Sequence, residues 1–263
     1  VSLSKGTHTL ELQDLTGFDG RCDWIEIKSN PSAVVPCVET EVAYSTNDLV
    51  VVGGGIAGIT TAISAARLGL TVALVQDRPV LGGNNSSEVR VHLGGWQNKA
   101  PYPRLGDVVA EIAPKSGGNA QPAAVYEDDR KLAAVRAEKN ISLFLNTRAN
   151  AVKLSPDGAI ASVSGVDTRT GRRTAFAGRW FVDATGDGTI GFLAGADYRM
   201  GREAKSETGE AWAPEKADGM TMGASVQWYA GSTKDGRASA FPCQPWMLAF
   251  TDENAHFDLR GDW

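Results

Sequence analysis

The chain has 263 residues, 42% apolar and 22% charged, with 26 basic against 31 acidic side chains and a formal charge of −5. That length holds one large domain or two small ones, the mild negative charge is the wrong sign for a nucleic-acid surface, and no apolar run approaches the ~18 residues of a membrane-spanning helix. Glycine is abundant, 30 residues or about 11% against a usual ~7%, and its clustering suggests turns built around a ligand. The mixture of apolar and aromatic residues excludes collagen, coiled coil and general disorder.

Residues Thr7 to Leu12 and Cys22 to Ile27 alternate polar and apolar side chains around a turn-rich Thr16-Gly17-Phe18-Asp19-Gly20. Alternation of that kind predicts two half-buried strands. Two strands cannot form a stable unit alone, so residues 1–30 read as the last hairpin of a β-sandwich. The chain then reads as a piece of a longer protein. Residues 31–47, with two prolines and no clear period, read as a linker. Cys22, Cys37 and Cys243 form neither a CxxC pair nor a Cys/His cluster, which argues against iron–sulfur or zinc. A Cys22–Cys37 disulfide stays open for an exported protein.

The character changes at Asp48. Leu49-Val50-Val51-Val52 is a short continuous apolar run, as in a strand of a parallel sheet buried on both faces. Gly53-Gly54-Gly55-Ile56-Ala57-Gly58 follows, then a helix-compatible run from Ile59 to Leu68, Gly69, and a second apolar strand from Leu70 to Val75. This is a β-α-β unit of the expected size, about thirty residues. Tyr126 to Glu138 predicts an amphipathic helix, Ile141 to Leu145 a third strand, and Ala151 to Ala177 a small antiparallel sheet of hairpins. Trp180-Phe181-Val182-Asp183 then returns to the main sheet. The fold class is therefore α/β: a Rossmann-like dinucleotide-binding domain over 48–205 with an antiparallel β insertion. Residues 206–263, with strand-like Met220 to Met222 and Val226 to Tyr229, read as the start of a substrate domain.

The GxGxxG segment carries weight because a strand precedes it and a helix follows. Gly53 permits the tight turn, Gly55 lets the backbone approach a pyrophosphate, and Gly58 lets the helix pack against the strand. The amides opening the helix, at Ile56 and Ala57, then face the diphosphate at its positive end. Gln76 stands where an acid usually accepts from a ribose hydroxyl, and its amide oxygen can still accept; Asp77 follows it as a second ribose candidate. An intact ribose 2′-hydroxyl fits better than a 2′-phosphate, although Arg78 lies next in line.

Three features point to flavin rather than nicotinamide: Gly82-Gly83-Asn84-Asn85-Ser86-Ser87 soon after the second strand, the antiparallel insertion, and Ala184-Thr185-Gly186-Asp187-Gly188 closing the returning strand. With GGNxSSExR at Gly82 to Arg90 and ATGDGTIG at Ala184 to Gly191, the chain resembles a bacterial family of FAD-dependent oxidoreductases within the glutathione-reductase-like flavoproteins. The likeness covers roughly Asp48 to Gln227. It implies FAD as cofactor, with Gly83, Asn84 and Ser87 lining the path to the flavin. It also implies Ala151 and Val152 at the adenine, and Gly186 with Asp187 closing on the dinucleotide. Members often carry an appended β-sandwich and occur among polysaccharide-degrading genes, which implies a small, carbohydrate-derived substrate and a separate electron acceptor.

Two residues after the second glycine pair are candidates for the chemistry. Arg90 can stabilise negative charge on a reduced flavin, and His92 can transfer a proton near neutral pH or tether the flavin. The plainer alternative pairs Glu88 with Arg90 on one strand face. Arg199, Arg202, Glu203 and Glu207 read as a solvated helix face. Two rival functions remain at this level: an NAD-dependent dehydrogenase, and a non-catalytic carbohydrate-binding or scaffold protein.

Overall fold

A strand that is apolar at four consecutive positions must be covered on both faces, and Leu49–Val52 is. A computed structural model describes residues 42–95, 98–222 and 235–236. The expected N-terminal hairpin, all three cysteines, His8, His256 and the Val226 to Tyr229 segment lie outside them. The chain divides into two compact units, Val1–Val226 and Gln227–Trp263, and the sheet and its helices belong to the first.

Six strands form one sheet: β1 (Ala43–Val52), β2 (Val72–Val75), β3 (Ile141–Phe144), β4 (Thr147–Leu154), β5 (Ile160–Asp167) and β6 (Arg173–Asp183). Their order is β3-β2-β1-β6-β5-β4. β3, β2, β1 and β6 run parallel, while β6, β5 and β4 form an antiparallel meander. Two sequence-based expectations change here. The insertion is not a separate sheet, because β6 is continuous: its first half pairs with β5 and its whole length pairs with β1. Strand β1 also opens at Ala43, inside the stretch that read as a linker. That first half alternates, with Tyr44 exposed, and pairs only with β6 until β2 joins at Leu49. A strand covered on one side lacks the continuous apolar signal of its second half.

Helix α1 (Ile56–Arg67), α2 (Asp107–Ile112) and α3 (Asp128–Ala137) cover one face of the sheet. Leu49, Val51, Val72 and Leu74 pack there against Ile59, Ala62, Ile63, Ile112 and Val135. On the other face Val50, Val52, Ala73 and Val75 meet Val163, Phe176 and Ile190, the last from α4 (Thr189–Leu193). Each such fully buried aliphatic side chain contributes about 1.5–3 kcal/mol. Phe144 of β3 and Phe176 of β6 stack edge to face at 4.8 Å, although two strands separate them in the sheet. The antiparallel arm therefore folds back across this second face. The Thr147 N–H pins its end by donating to the Gln76 carbonyl at 2.8 Å.

α1 begins three residues earlier than the apolar pattern suggests, because the helix uses Gly55 as its N-cap and the Ile59 N–H reaches the Gly55 carbonyl at 2.9 Å. Arg67, in its last turn, bridges Glu111 at 2.8 Å and Glu138 at 2.7 Å and so ties the three helix ends together. Further on, the charged stretch after Gly195 forms only the short α5 (Lys205–Thr208). Arg199 pairs with Glu207 at 2.9 Å and Arg202 with Asp218, surface pairs of small energetic weight. Met220 to Met222 form no strand. Among the described residues, no helix is long and apolar enough to cross a membrane, and no group of three or more His, Cys, Asp or Glu side chains could hold a metal.

Candidate functional site

The turn after β1 is shaped by what it has no room for. A Cβ at Gly58 would lie 1.8 Å from the Gly53 carbonyl oxygen, and one at Gly53 would lie 2.3 Å from the Ala184 oxygen. Gly53 also has φ +106°, a left-handed conformation that side chains rarely adopt. Gly55 differs: a Cβ there would meet only the Gly83 Cα, at 4.0 Å. The tight glycines serve the protein's own packing, whereas Gly55 faces open space. At this point α1 has no side-chain cap and no acidic residue in its first turn. Its first amides and the positive end of its dipole are thus left for an anion.

Gln76, at the end of β2, is only 4% exposed and joins four segments. Its N–H donates to Phe144 O and its carbonyl accepts from the Thr147 N–H, both at 2.8 Å. Its side-chain Oε1 accepts from the Gly54 N–H at 2.7 Å, and its Nε2 donates to the Val80 carbonyl at 3.1 Å. The ribose role expected of this amide gives way to an internal one: it clips the glycine turn to the loop after β2. The same loop returns when the Gly82 N–H donates to Gly54 O at 2.8 Å. Gly82 rests on Lys131, whose ammonium is fully buried and donates to the Tyr126 carbonyl. Burial pushes this lysine below its ordinary pKa, against the opposing charges of Asp128 and Glu127. Asn85 donates to Val91 O at 2.9 Å, and its buried Oδ1 takes no hydrogen bond among the described residues.

At the end of β6, Asp183 organises the Ala184 to Gly191 segment. Its Oδ1 accepts from the Thr185 N–H at 3.0 Å and hydroxyl at 2.6 Å, and its Oδ2 accepts from the Ile190 and Gly191 amides at 2.8 and 2.9 Å. Burial pulls its pKa up, but the Thr185 hydroxyl and the Gly191, Thr185 and Ile190 amides outweigh it and hold the carboxyl below its usual range.

These segments enclose a cleft of about 790 Å³ outside the carboxyl ends of β1 and β6. Its walls include Gly53, Gly55, Ile56, Ala57, Gln76, Asp77, Gly83, Asn84, Gly186, Asp187 and His92, all singled out from the sequence. Four other expected cofactor residues lie off it. Gly58 is buried in α1 packing. Ser87 turns to α3, where its N–H meets the Asp128 carboxylate at 3.1 Å. Ala151 and Val152, which the family resemblance puts at the adenine, sit further along β4 (it opens at Thr147), and the wall there is Thr147 to Asn150.

Arg90 also leaves the cleft. It has φ +65°, and its guanidinium turns back to the Ser87 carbonyl at 2.8 Å. What it contributes is its own carbonyl, which accepts from the Tyr126 hydroxyl at 2.6 Å and from the Ala120 N–H at 2.8 Å. Glu88 pairs with Arg78 at 3.2 Å rather than with Arg90. His92 lines the cleft, with ring Nδ1 and backbone N–H both 2.9 Å from Asn119 Oδ1. Sequence reasoning missed Gly54, Asn119, Thr147 to Asn150 and Asp183. Of these, Gly54 and Asp183 stood inside motifs already singled out, whereas Asn119 and the β4 wall carry no local signal.

An uncapped helix beginning at a glycine turn, in a crevice where the strand order runs outward from β1 both ways, defines a dinucleotide-binding α/β domain. Residues 48–258 match the FAD dependent oxidoreductase family. The chain belongs to this family, whose cofactor is FAD, and the residues present fit the group. Gly55 leaves a cradle open at the uncapped amides, and the cleft volume lies in the ~300–1,000 Å³ range of small-molecule sites.

An NADH:acrylate oxidoreductase of Vibrio harveyi is 35% identical over 100 residues, covering 35% of this chain and 10% of that protein. The chain therefore spans about a tenth of the length of this curated relative. Among solved structures, L-proline dehydrogenase from P. horikoshii is similar at TM-score 0.37 and 24% identity, over 56% of this chain and 24% of the other. Mycobacterium smegmatis Sdh1 in complex with UQ1 is similar at TM-score 0.40 and 18% identity, over 55% and 34%.

Proposed function

We propose that the protein is an FAD-dependent oxidoreductase moving two electrons between a small, carbohydrate-derived substrate and an electron acceptor. One observation carries this reading: in a member of an FAD family, the α1 amides face a cleft with no cap and no acid of the protein's own. FAD bound in that cleft supplies the two-electron chemistry. The Ile56 and Ala57 amides hold the diphosphate, with Gly55 keeping the approach clear. Asp77, exposed at the rim, and Thr147 to Asn150 along the wall contact the adenosine half. Asn84, Gly186 and Asp187 guide the remainder of the chain, and His92 holds or accepts a proton beside the reacting end. The carbohydrate assignment rests on the sandwich-like N-terminal pattern and the family resemblance.

A second reading, NADH-linked reduction of an activated double bond, is favoured by the 100 residues shared with the acrylate reductase. The visible spectrum of the full-length protein tests the cofactor, and turnover on a panel of sugars with artificial acceptors, run beside NADH with acrylate, tests the substrate. A flavin band with sugar oxidation supports the first reading; acrylate reduction alone replaces it with the second. A colourless protein that refuses added FAD overturns both.

A further inference from the structure

Asn119 lies on a surface turn that no motif marks, yet it is docked beside the cleft by a buried residue. Tyr126, 1% exposed, has its one hydroxyl proton shared between the Arg90 carbonyl at 2.6 Å and the Gly118 carbonyl at 2.9 Å, and its oxygen accepts from the Gln121 N–H at 3.1 Å. The Ala120 N–H adds a bond to Arg90 O. This staple holds the 118–121 turn against the 90–92 segment, so that Asn119 Oδ1 faces both the backbone N–H and the ring Nδ1 of His92 at 2.9 Å.

The backbone bond settles which end of the Asn119 amide points inward. A peptide N–H can only donate, so the atom facing it is the oxygen, because the amide nitrogen would set donor against donor. The same oxygen meets Nδ1, so Nδ1 carries a proton. In the neutral ring, Nε2 is then left with its lone pair. Among the described residues Nε2 takes no hydrogen bond, and it lies close beside Gly94, where a Cβ would stand only 3.1 Å from this nitrogen.

We propose that Asn119 is a positioning residue that fixes neutral His92 as the Nδ1–H tautomer and so leaves Nε2 of this cleft-lining residue as a proton acceptor. The inference rests on the reading of the cleft as the FAD and substrate site, and it assigns a role to a residue outside every glycine motif. The proton leaves the substrate's reacting O–H or C–H group for Nε2, giving an imidazolium whose Nδ1–H stays on Asn119 Oδ1. For an alcohol the C–H bond on the same carbon breaks as the C=O bond forms, and that hydrogen leaves with its electron pair for the oxidised FAD that the proposed reaction already supplies.

The test uses the full-length FAD-loaded protein with ring-15N histidine, the His92 signals being assigned by their loss in H92Q. Two-bond nitrogen–proton correlations at alkaline pH should show Nδ1 protonated in the wild type and in N119D, which keeps the acceptor. In N119L, and in N119A without added bulk, the neutral ring should go over to Nε2–H. On the sugar and acceptor pair that turns over, N119L should lose about 10- to 100-fold in kcat with KM little changed, and N119D should recover most of it. An N119L or N119A protein that keeps FAD and the Nδ1–H tautomer overturns the inference, as does one that keeps full kcat. Failure of the wild type to bind FAD overturns the cofactor reading instead, while the tautomer remains readable.

Discussion

Two strand ends meet at the cleft and treat the amides beyond them in opposite ways. After β6, Asp183 supplies its own carboxylate to the Thr185, Ile190 and Gly191 amides, so the segment is satisfied from within the protein. After β1, the strand paired beside it, the glycine turn offers α1 no side-chain acceptor and no acid. The difference separates the two kinds of loop a ligand site needs: one that answers the amides beyond it from within, and one that leaves the first amides of its helix unanswered until something binds.

Substitutions can break this contrast, with expected effects on stability that fall from Gly58 to Gly55. Gly58→Val places side-chain atoms onto the Gly53 carbonyl and forces α1 off β1. A loss of about 3 kcal/mol or more, read by urea denaturation with FAD release, is expected; unchanged stability would contradict the packing described. Gln76→Leu leaves the Gly54 N–H buried without its acceptor, at a cost of about 1–3 kcal/mol. Gln76→Glu keeps an acceptor for the Gly54 N–H but cannot donate to Val80 O, so restoring the more usual acid at this position should still weaken FAD retention rather than strengthen it.

Asp183→Asn keeps one oxygen and should lose about 1 kcal/mol at neutral pH. Because the Asp183 pKa is depressed in the folded state, its contribution is complete above the unfolded-state value of ~3.9 and fades as pH falls through the folded one. The wild type and D183N denaturation midpoints should therefore converge in acid; a gap that widens there would refute the assignment. Gly55→Ala has the smallest effect on the fold, a few tenths of a kcal/mol at an N-cap, since its methyl meets nothing closer than 4.0 Å. FAD affinity should nevertheless fall, about tenfold or more by titration of the apoprotein. That pairing of a sound fold with a lost cofactor would mark the open turn as the binding one.

Much of the frame was legible because it is local. Leu49 to Val52, the glycine turn, the helix behind it and Val72 to Val75 announce themselves by apolar period and by residues that only a turn tolerates. What escaped depends on partners far away in sequence. Gln76 reads as a ribose ligand until Gly54 and Val80 are seen to occupy its amide. Arg90 reads as a catalytic cation, but a left-handed backbone turns its guanidinium to Ser87 and leaves the carbonyl as its contribution. The family resemblance puts Ala151 and Val152 at the adenine, whereas the cleft wall on β4 is Thr147 to Asn150, at the start of the strand, where the Thr147 amide finds Gln76. Cofactor class was legible from a cluster of motifs; which residues touch it depended on how an eleven-residue strand, β6, is shared.

That sharing has a mechanical consequence. The antiparallel arm and the parallel core share one continuous strand, β6, and the Thr147 N–H ties the far end of the arm back to Gln76. The spacing between the Thr147 end and the Gly53 turn is therefore set, like the jaws of a gauge, by main-chain bonds. A receptacle of constant span needs no clamping motion to grip an elongated guest, and it favours molecules of the right reach over shorter fragments that fill only one jaw.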